Sequence, residues 1–129
     1  MAANIQAYLE NLQQPWGQIY YDILFDQLQD IKGKRVLDFG SGFGLVANHL
    51  AKDNEVLAVE PNQEMVALRA QEHPYQQFVG SLDQLASLED ASFEVILCHN
   101  VLEYVGNRES VLKAFTRLLK PGGLLSIVK

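Results

Sequence analysis

The densest chemistry in this chain of 129 residues lies in Arg35-Val36-Leu37-Asp38-Phe39-Gly40-Ser41-Gly42-Phe43-Gly44. One carboxylate, Asp38, sits in an apolar run that ends in glycines at every second position. Glycine has no Cβ, so such a segment can take positive φ and bring main-chain N–H groups onto a ligand. A second carboxylate, Glu60, follows Glu55-Val56-Leu57-Ala58-Val59. At that place a carboxylate can accept both hydroxyl protons of a ribose, and it discourages a 2′-phosphate. A dinucleotide fingerprint reads G-x-G-x-x-G, with an acidic residue about 20 positions further on. Here the spacing is G-x-G-x-G, and Leu45 stands where the third dinucleotide glycine would fall. The pair therefore favours an adenosine carrying a group other than pyrophosphate. Taken alone, Glu60 reads as well as a helix-capping carboxylate, and Asp38 as an acceptor that only orders the loop.

These residues need strands that end together and helices that carry the chain back. Arg35–Phe39 is an apolar run bounded by glycine, which reads as a buried strand. Leu45, Val46, Leu50 and Ala51 then recur at helical spacing, with the positive end of that helix aimed at the loop. Glu55–Val59 is a second buried strand. Pro61 and Asn62 open a helix with Met65, Val66, Leu68 and Arg69, closed at His73-Pro74. Tyr75–Gly80 is a weaker strand, and Leu82–Leu88 holds one helical turn. Phe93–Cys98 is the fourth strand. A short helix follows through Val101, Leu102 and Tyr104. Asn107 caps an amphipathic helix with Val111, Leu112, Phe115, Leu118 and Leu119. Lys120-Pro121-Gly122-Gly123 stops it, and Leu124–Val128 is a fifth strand. Strands alternating with helices imply parallel pairing with helices on both faces. The ligand then sits beyond the carboxyl ends of the strands, where the order reverses. That brings the glycine loop, Glu60, Gly80–Asp83 and Cys98–Asn100 around one crevice.

The N-terminal 32 residues read as two helices, one amphipathic through Ile5, Tyr8, Leu9 and Leu12 and one running from Trp16 to about Gln29. The second is apolar over most of its circumference, as in a helix sandwiched between two surfaces. Its aromatics read first as packing, and Trp16, Tyr20 and Tyr21 as part of a pocket or lid over the site.

Composition is that of a soluble globular domain, with 48% apolar and 20% charged residues. The net charge of −6 argues against non-specific nucleic-acid binding, which needs a basic surface. Cys98, the single cysteine, excludes an internal disulfide and a cysteine zinc site, and reads as an inert buried thiol. His49 and His73 read as helix-surface residues, and no metal site is expected. The absence of a signal core or an apolar span points to the cytoplasm.

With these residues in view, the sequence resembles the class I S-adenosylmethionine-dependent methyltransferases from about Gly33 onward. The resemblance is carried by Val36–Gly44, by Ala58-Val59-Glu60-Pro61-Asn62-Gln63-Glu64-Met65, by Ser92–Val105 and by Leu118-Leu119-Lys120-Pro121-Gly122-Gly123, all in the family's order. It implies a Rossmann-like, doubly wound and mostly parallel sheet of order 3-2-1-4-5, lacking the family's final two strands. It implies a core over residues 33–129 and an N-terminal segment, residues 1–32, that packs on the sheet and caps the site. Asp38 and the backbone of Gly40, Ser41, Gly42 and Gly44 would hold the methionine end of S-adenosylmethionine, with S-adenosylhomocysteine as product. Glu60 would take the ribose hydroxyls, with Pro61, Asn62 and Met65 near the adenine. Many relatives carry Gly-Asp after the third strand. Here it is Gly80-Ser81-Leu82-Asp83, so the adenine contact falls to the backbone of Ser81 and Leu82, with Asp83 as a substitute. His99 and Asn100 would face the methionine end.

The implied reaction is in-line displacement at a sulfonium methyl, for which the protein supplies alignment and exclusion of water. A general base is needed only for a protonated acceptor of high pKa, and His99 is the residue offered. The stretch from His99 to Val105 is similar to small-molecule methyltransferases and to a tRNA wobble-uridine carboxyl methyltransferase; the acidic balance turns the expectation to a small acceptor. Two further readings stand beside it, a non-catalytic module that binds the cofactor and a nicotinamide dehydrogenase disfavoured by Leu45. A sheet ending at its fifth strand reads as a truncated chain with an exposed edge for homodimer pairing.

Overall fold

The computed structural model describes residues 23–99 and 108–128, the side chains of His99 and Val128 excepted. The chain divides into two units, Met1–Lys32 and Gly33–Lys129. In the first, residues 23–27 are helical and the N–H of Leu28 donates to the carbonyl of Leu24 at 3.1 Å. Trp16, Tyr20, Tyr21, Asn100, Asn107, the helix expected at Ile5–Leu12 and the short helix expected after Asn100 lie outside the described residues.

The second unit runs β1 (Arg35–Phe39), α1 (Leu45–Leu50), β2 (Glu55–Glu60), α2 (Gln63–Ala67), β3 (Gln76–Val79), α3 (Leu82–Leu85), β4 (Phe93–His99), α4 (Arg108–Leu118) and β5 (Leu119–Val128). Its five strands form one sheet in the order β3-β2-β1-β4-β5, and every pairing is parallel. This is the doubly wound order that the family resemblance implies. β1 lies at its centre, with Leu37 opposite Leu57 on one side and Ile96 on the other. Strands covered on both faces read as continuous apolar runs, which explains the composition of β1, β2 and β4.

Alternate residues of a strand face opposite ways, so each strand feeds two layers. Leu37, Phe39, Leu57, Val59, Ile96 and Cys98 join Leu85 of α3 and Val111, Phe115 and Leu118 of α4 in one core. The Phe39 and Phe115 rings meet edge to face with centroids 5.4 Å apart. Val36, Asp38, Val56, Ala58 and Glu60 alternate with that set and point to the other face. Right-handed crossovers put α1 and α2 there, with Ala47 and Leu50 of α1 buried. Cys98 is fully buried, and its thiol is pushed up to about 11 by that burial and by the nearby Asp38 charge.

Two boundaries differ by more than one or two residues from the sequence expectation. α2 stops at Ala67, because the N–H of Ala70 leaves the helix and donates to the Phe43 carbonyl at 2.7 Å. β5 starts at Leu119 rather than Leu124. Leu119 lies opposite Phe93 and Leu124 opposite Val95, so the Lys120–Gly123 turn is absorbed as an irregularity in the ladder. Arg117 ties α4 to the preceding connection. Its Nη1 donates to the Leu88 carbonyl (2.8 Å) and to Asp90 Oδ1 (2.6 Å), and its Nη2 donates to the Leu85 carbonyl (2.7 Å).

Candidate functional site

β1 and β2 end side by side, and the main chain between Gly40 and Gly44 folds over their carboxyl ends. The N–H groups of Gly40 and Ser41 both donate to the Val59 carbonyl, at 2.7 and 3.1 Å. The N–H of Gly42 donates to Glu60 Oε1 at 2.9 Å, and that of Gly44 to the Ser41 carbonyl at 2.9 Å. Gly40, Gly42 and Gly44 all have positive φ. Four N–H groups of the loop are thus committed within the protein. The expectation that they reach out to a ligand is corrected accordingly: the glycines give close approach and shape. α1, six residues long, has no side-chain cap.

Glu60 braces this loop from below. Besides Gly42, it accepts the N–H of Asn62 on Oε2 at 3.0 Å. Asn62, not Glu60, caps α2, its Oδ1 accepting from the N–H groups of Glu64 (2.9 Å) and Met65 (3.2 Å). Each Glu60 oxygen has a second acceptor site, so the carboxylate can brace the loop and still receive two hydroxyl protons.

Among the described residues, the only buried charged side chains are Asp38 (4% exposed) and Glu60 (8%). Asp38 Oδ2 is enclosed and has no hydrogen-bond partner. Burial pushes the Asp38 carboxyl up to about 7, and repulsion from Glu60 adds to it. An enclosed acceptor beside a second carboxylate is a site for positive charge. It is the opposite of a pyrophosphate cradle, which presents free N–H groups to an anion. A shallow hollow of about 510 Å³ at the other ends of the strands includes Lys34, Arg35, Glu55 and Glu94. There Lys34 pairs with Glu94 (3.7 Å) and Arg35 with Glu55 (3.4 Å).

The methyltransferase-domain family profile matches residues 37–127. A ubiquinone biosynthesis O-methyltransferase of Xanthomonas oryzae is 35% identical over 103 residues, covering 74% of this chain and 43% of that relative. The chain belongs to the class I S-adenosylmethionine-dependent methyltransferases. A second relative of the same name, from Coxiella burnetii, is 34% identical over 105 residues, 78% of this chain and 45% of its own. The chain spans about half the length of these curated relatives. Among solved structures, a TehB-like S-adenosylmethionine-dependent methyltransferase of Corynebacterium glutamicum superposes with a TM-score of 0.73 at 20% identity, over 98% of this chain and 73% of its own. The [4+2]-cyclase SpnF also reaches 0.73, at 23% identity over 89% of this chain and 46% of its own. These two likenesses show the fold alone, and their differing names illustrate that the fold does not fix the chemistry.

The family's cofactor, S-adenosylmethionine, carries a sulfonium and an amino group, both cationic. The enclosed, unpartnered Asp38 oxygen fits such a ligand. Around it the methyltransferase fold brings most of the sequence-predicted residues together. Pro61 and Asn62 follow Glu60 directly. Met65 lies over the loop, its Cε 3.3 Å from where a Cβ on Gly42 would stand. The N–H of Gly80 donates to the Glu60 carbonyl at 3.1 Å, placing Ser81 and Leu82 at the same end of the sheet. The Ser81 N–H is already taken by Asp83 Oδ1 at 3.0 Å, which engages both of those groups with each other. His99 is the last residue of β4 and its backbone lies opposite Val128.

Sequence reasoning missed Tyr75 and Gln77. Gln77 Nε2 comes within 3.4 Å of Ser41 Oγ, reaching from β3 past β2 to the loop. Tyr75 reaches Gly44 from just before β3. The only sequence signal is a tyrosine at the entrance to a strand that is otherwise poor in apolar residues.

Proposed function

We propose that this chain carries the cofactor-binding half of a methyltransferase that acts on an oxygen of a small acceptor. One observation carries the reading: two buried carboxylates, one with an orphaned oxygen, converge beneath a glycine loop four of whose N–H groups are spent internally. In this reading Asp38 faces the amino group of the methionine end, and the loop of Gly40, Ser41, Gly42 and Gly44 lets that end approach the backbone. Glu60 receives the ribose hydroxyls on its remaining lone pairs. Pro61, Asn62 and Met65 border the adenine, with the polarizable Met65 side chain against its face. The Leu82 N–H takes the role that Ser81 cannot fill while its own N–H is held by Asp83. When bound, S-adenosylmethionine supplies an electrophilic methyl group on a sulfonium; the chain's own share is positioning and exclusion of water.

The oxygen acceptor is argued from the relatives, named as O-methyltransferases of ubiquinone biosynthesis, and from an acidic balance that suits a small molecule better than RNA. A phenolic hydroxyl must lose its proton as it attacks, and His99, at the end of β4, is the general base assigned to it. Incubation with methyl-labelled S-adenosylmethionine and a panel of catechols and phenols tests the assignment. Transfer of label to a hydroxyl, lost in His99→Ala or shifted in its pH profile, supports it. Binding of the cofactor with no transfer to any acceptor makes the chain a binding module instead.

A further inference from the structure

Gly44 closes the loop at φ +75, and the space a side chain would need there is already filled. A Cβ at this position would run into the Tyr75 hydroxyl, and would stand 3.1 Å from the Ala70 carbonyl and 3.2 Å from Arg69 Cβ. The same hydroxyl donates to the Ala70 carbonyl. Ala70 in turn donates its N–H to the Phe43 carbonyl at 2.7 Å. The Tyr75 ring is held in place by the Arg69 guanidinium, 5.9 Å from its centroid. Arg69 is itself fixed by Nη1 donating to the Val66 carbonyl at 2.9 Å, on α2. A continuous chain of contacts therefore runs from α2 through Arg69 and Tyr75 to Ala70, Phe43 and Gly44.

The near half of the loop hangs on β2, through the Val59 carbonyl and Glu60. The far half, Phe43–Gly44, has Ala70 and Tyr75 as its supports from the connection between α2 and β3. A loop that binds through shape and close approach depends on where its main chain sits, and a displacement of about 1 Å is enough to cost a positioned site much of its effect. We propose that Tyr75 is a positioning residue for the cofactor site: its hydroxyl, seated under Gly44 and bonded to Ala70, sets the far half of the loop against the methionine end of the ligand. The inference rests on the reading of the loop and Glu60 as the S-adenosylmethionine site. It adds that the loop's geometry is set from outside the loop.

The test is calorimetry on the 129-residue chain with two probes, S-adenosylhomocysteine and 5′-methylthioadenosine. The second retains the adenosine and sulfur but lacks the amino-acid end. Tyr75→Phe removes only the hydroxyl and is expected to weaken S-adenosylhomocysteine five- to tenfold, with methylthioadenosine changed less than twofold. A merely structural role would move both affinities together. Equal losses, or no loss, overturn the proposal. Should Tyr75→Phe fail to fold, Gly44→Ala tests the same contact from the loop side, with the same asymmetry expected between the probes. Where both fold, the loss caused by Gly44→Ala is expected to be at least threefold smaller in the Tyr75→Phe background, because the colliding atom is gone; strictly multiplicative losses contradict it. Failure of the unaltered chain to bind either probe would instead refute the site reading on which the inference rests.

Discussion

Burial pushes the Asp38 carboxyl of the folded chain up to about 7, from 3.8 for an unperturbed group, and repulsion from Glu60 adds to it. The folded state therefore binds more protons than the unfolded state between those values. Its stabilising contribution is complete below pH 3.8 and is lost as pH rises through 7. Between pH 5 and pH 8 the loss integrates to roughly 2–3 kcal/mol. The amide of the Asp38→Asn variant has no proton to lose, so the variant should gain that margin over the unaltered chain at pH 8 relative to pH 5. Urea unfolding of both proteins at pH 5, 6, 7 and 8 measures the difference. Parallel stability profiles across this range would refute the burial argument. The same carboxyl must ionise to hold a cation, so S-adenosylhomocysteine binding should release a proton near pH 7. Calorimetry in two buffers of different ionisation enthalpy reads that proton, and no buffer dependence would contradict the pairing of Asp38 with the amino group.

Other outcomes follow from single contacts. Glu60→Gln keeps one acceptor oxygen and turns the other into a donor, so only one of the Gly42 and Asn62 N–H groups keeps its acceptor, and fewer lone pairs remain for a ribose. One bond to the loop and one to the ribose, charge-assisted and worth about 1.5–3 kcal/mol each, are at stake, so affinity for S-adenosylhomocysteine should fall roughly 100-fold or more. An affinity within tenfold would contradict the role. Phe115→Ala empties the core where the ring meets Phe39 and should cost about 3–5 kcal/mol in urea unfolding. A loss below about 1 kcal/mol would mean the core collapses around the gap. Arg117→Lys keeps the charge but cannot span the Leu85 and Leu88 carbonyls with a planar fork. A loss of about 1–2 kcal/mol is expected in thermal unfolding, little changed by salt, because the carbonyl bonds matter more than the exposed pairing with Asp90.

Much of the fold was legible because periodicity and punctuation agree. The apolar runs at Val36–Phe39, Val56–Val59 and Phe93–Cys98 have the length of buried strands, and the intervening helical patterns force parallel pairing. The boundaries that slipped were decided by tertiary contacts. α2 ends early because Ala70 finds the Phe43 carbonyl, and β5 starts early because Leu119 pairs with Phe93 across the Pro-Gly-Gly turn. In the site, the two carboxylates and the glycine spacing were readable as a ligand preference. The use of the loop's N–H groups was not, since it depends on how close β2 lies to the loop. Glu60 shows the same limit: sequence offered ribose acceptor or helix cap, and the structure adds bonds to Gly42 and Asn62. Tyr75 and Gln77 approach the loop from β3 or its entrance, a relation that no local spacing encodes.

Asp38, Glu60 and the Gly40–Gly44 loop are proposed as a site for a cationic adenosine ligand rather than a dinucleotide. Titration calorimetry of the folded chain with S-adenosylhomocysteine and with NAD tests it most directly. One-to-one binding of S-adenosylhomocysteine is expected, abolished or strongly weakened in Glu60→Gln, with no heat from NAD. Binding of NAD in preference, or of neither ligand to a folded chain, would contradict it.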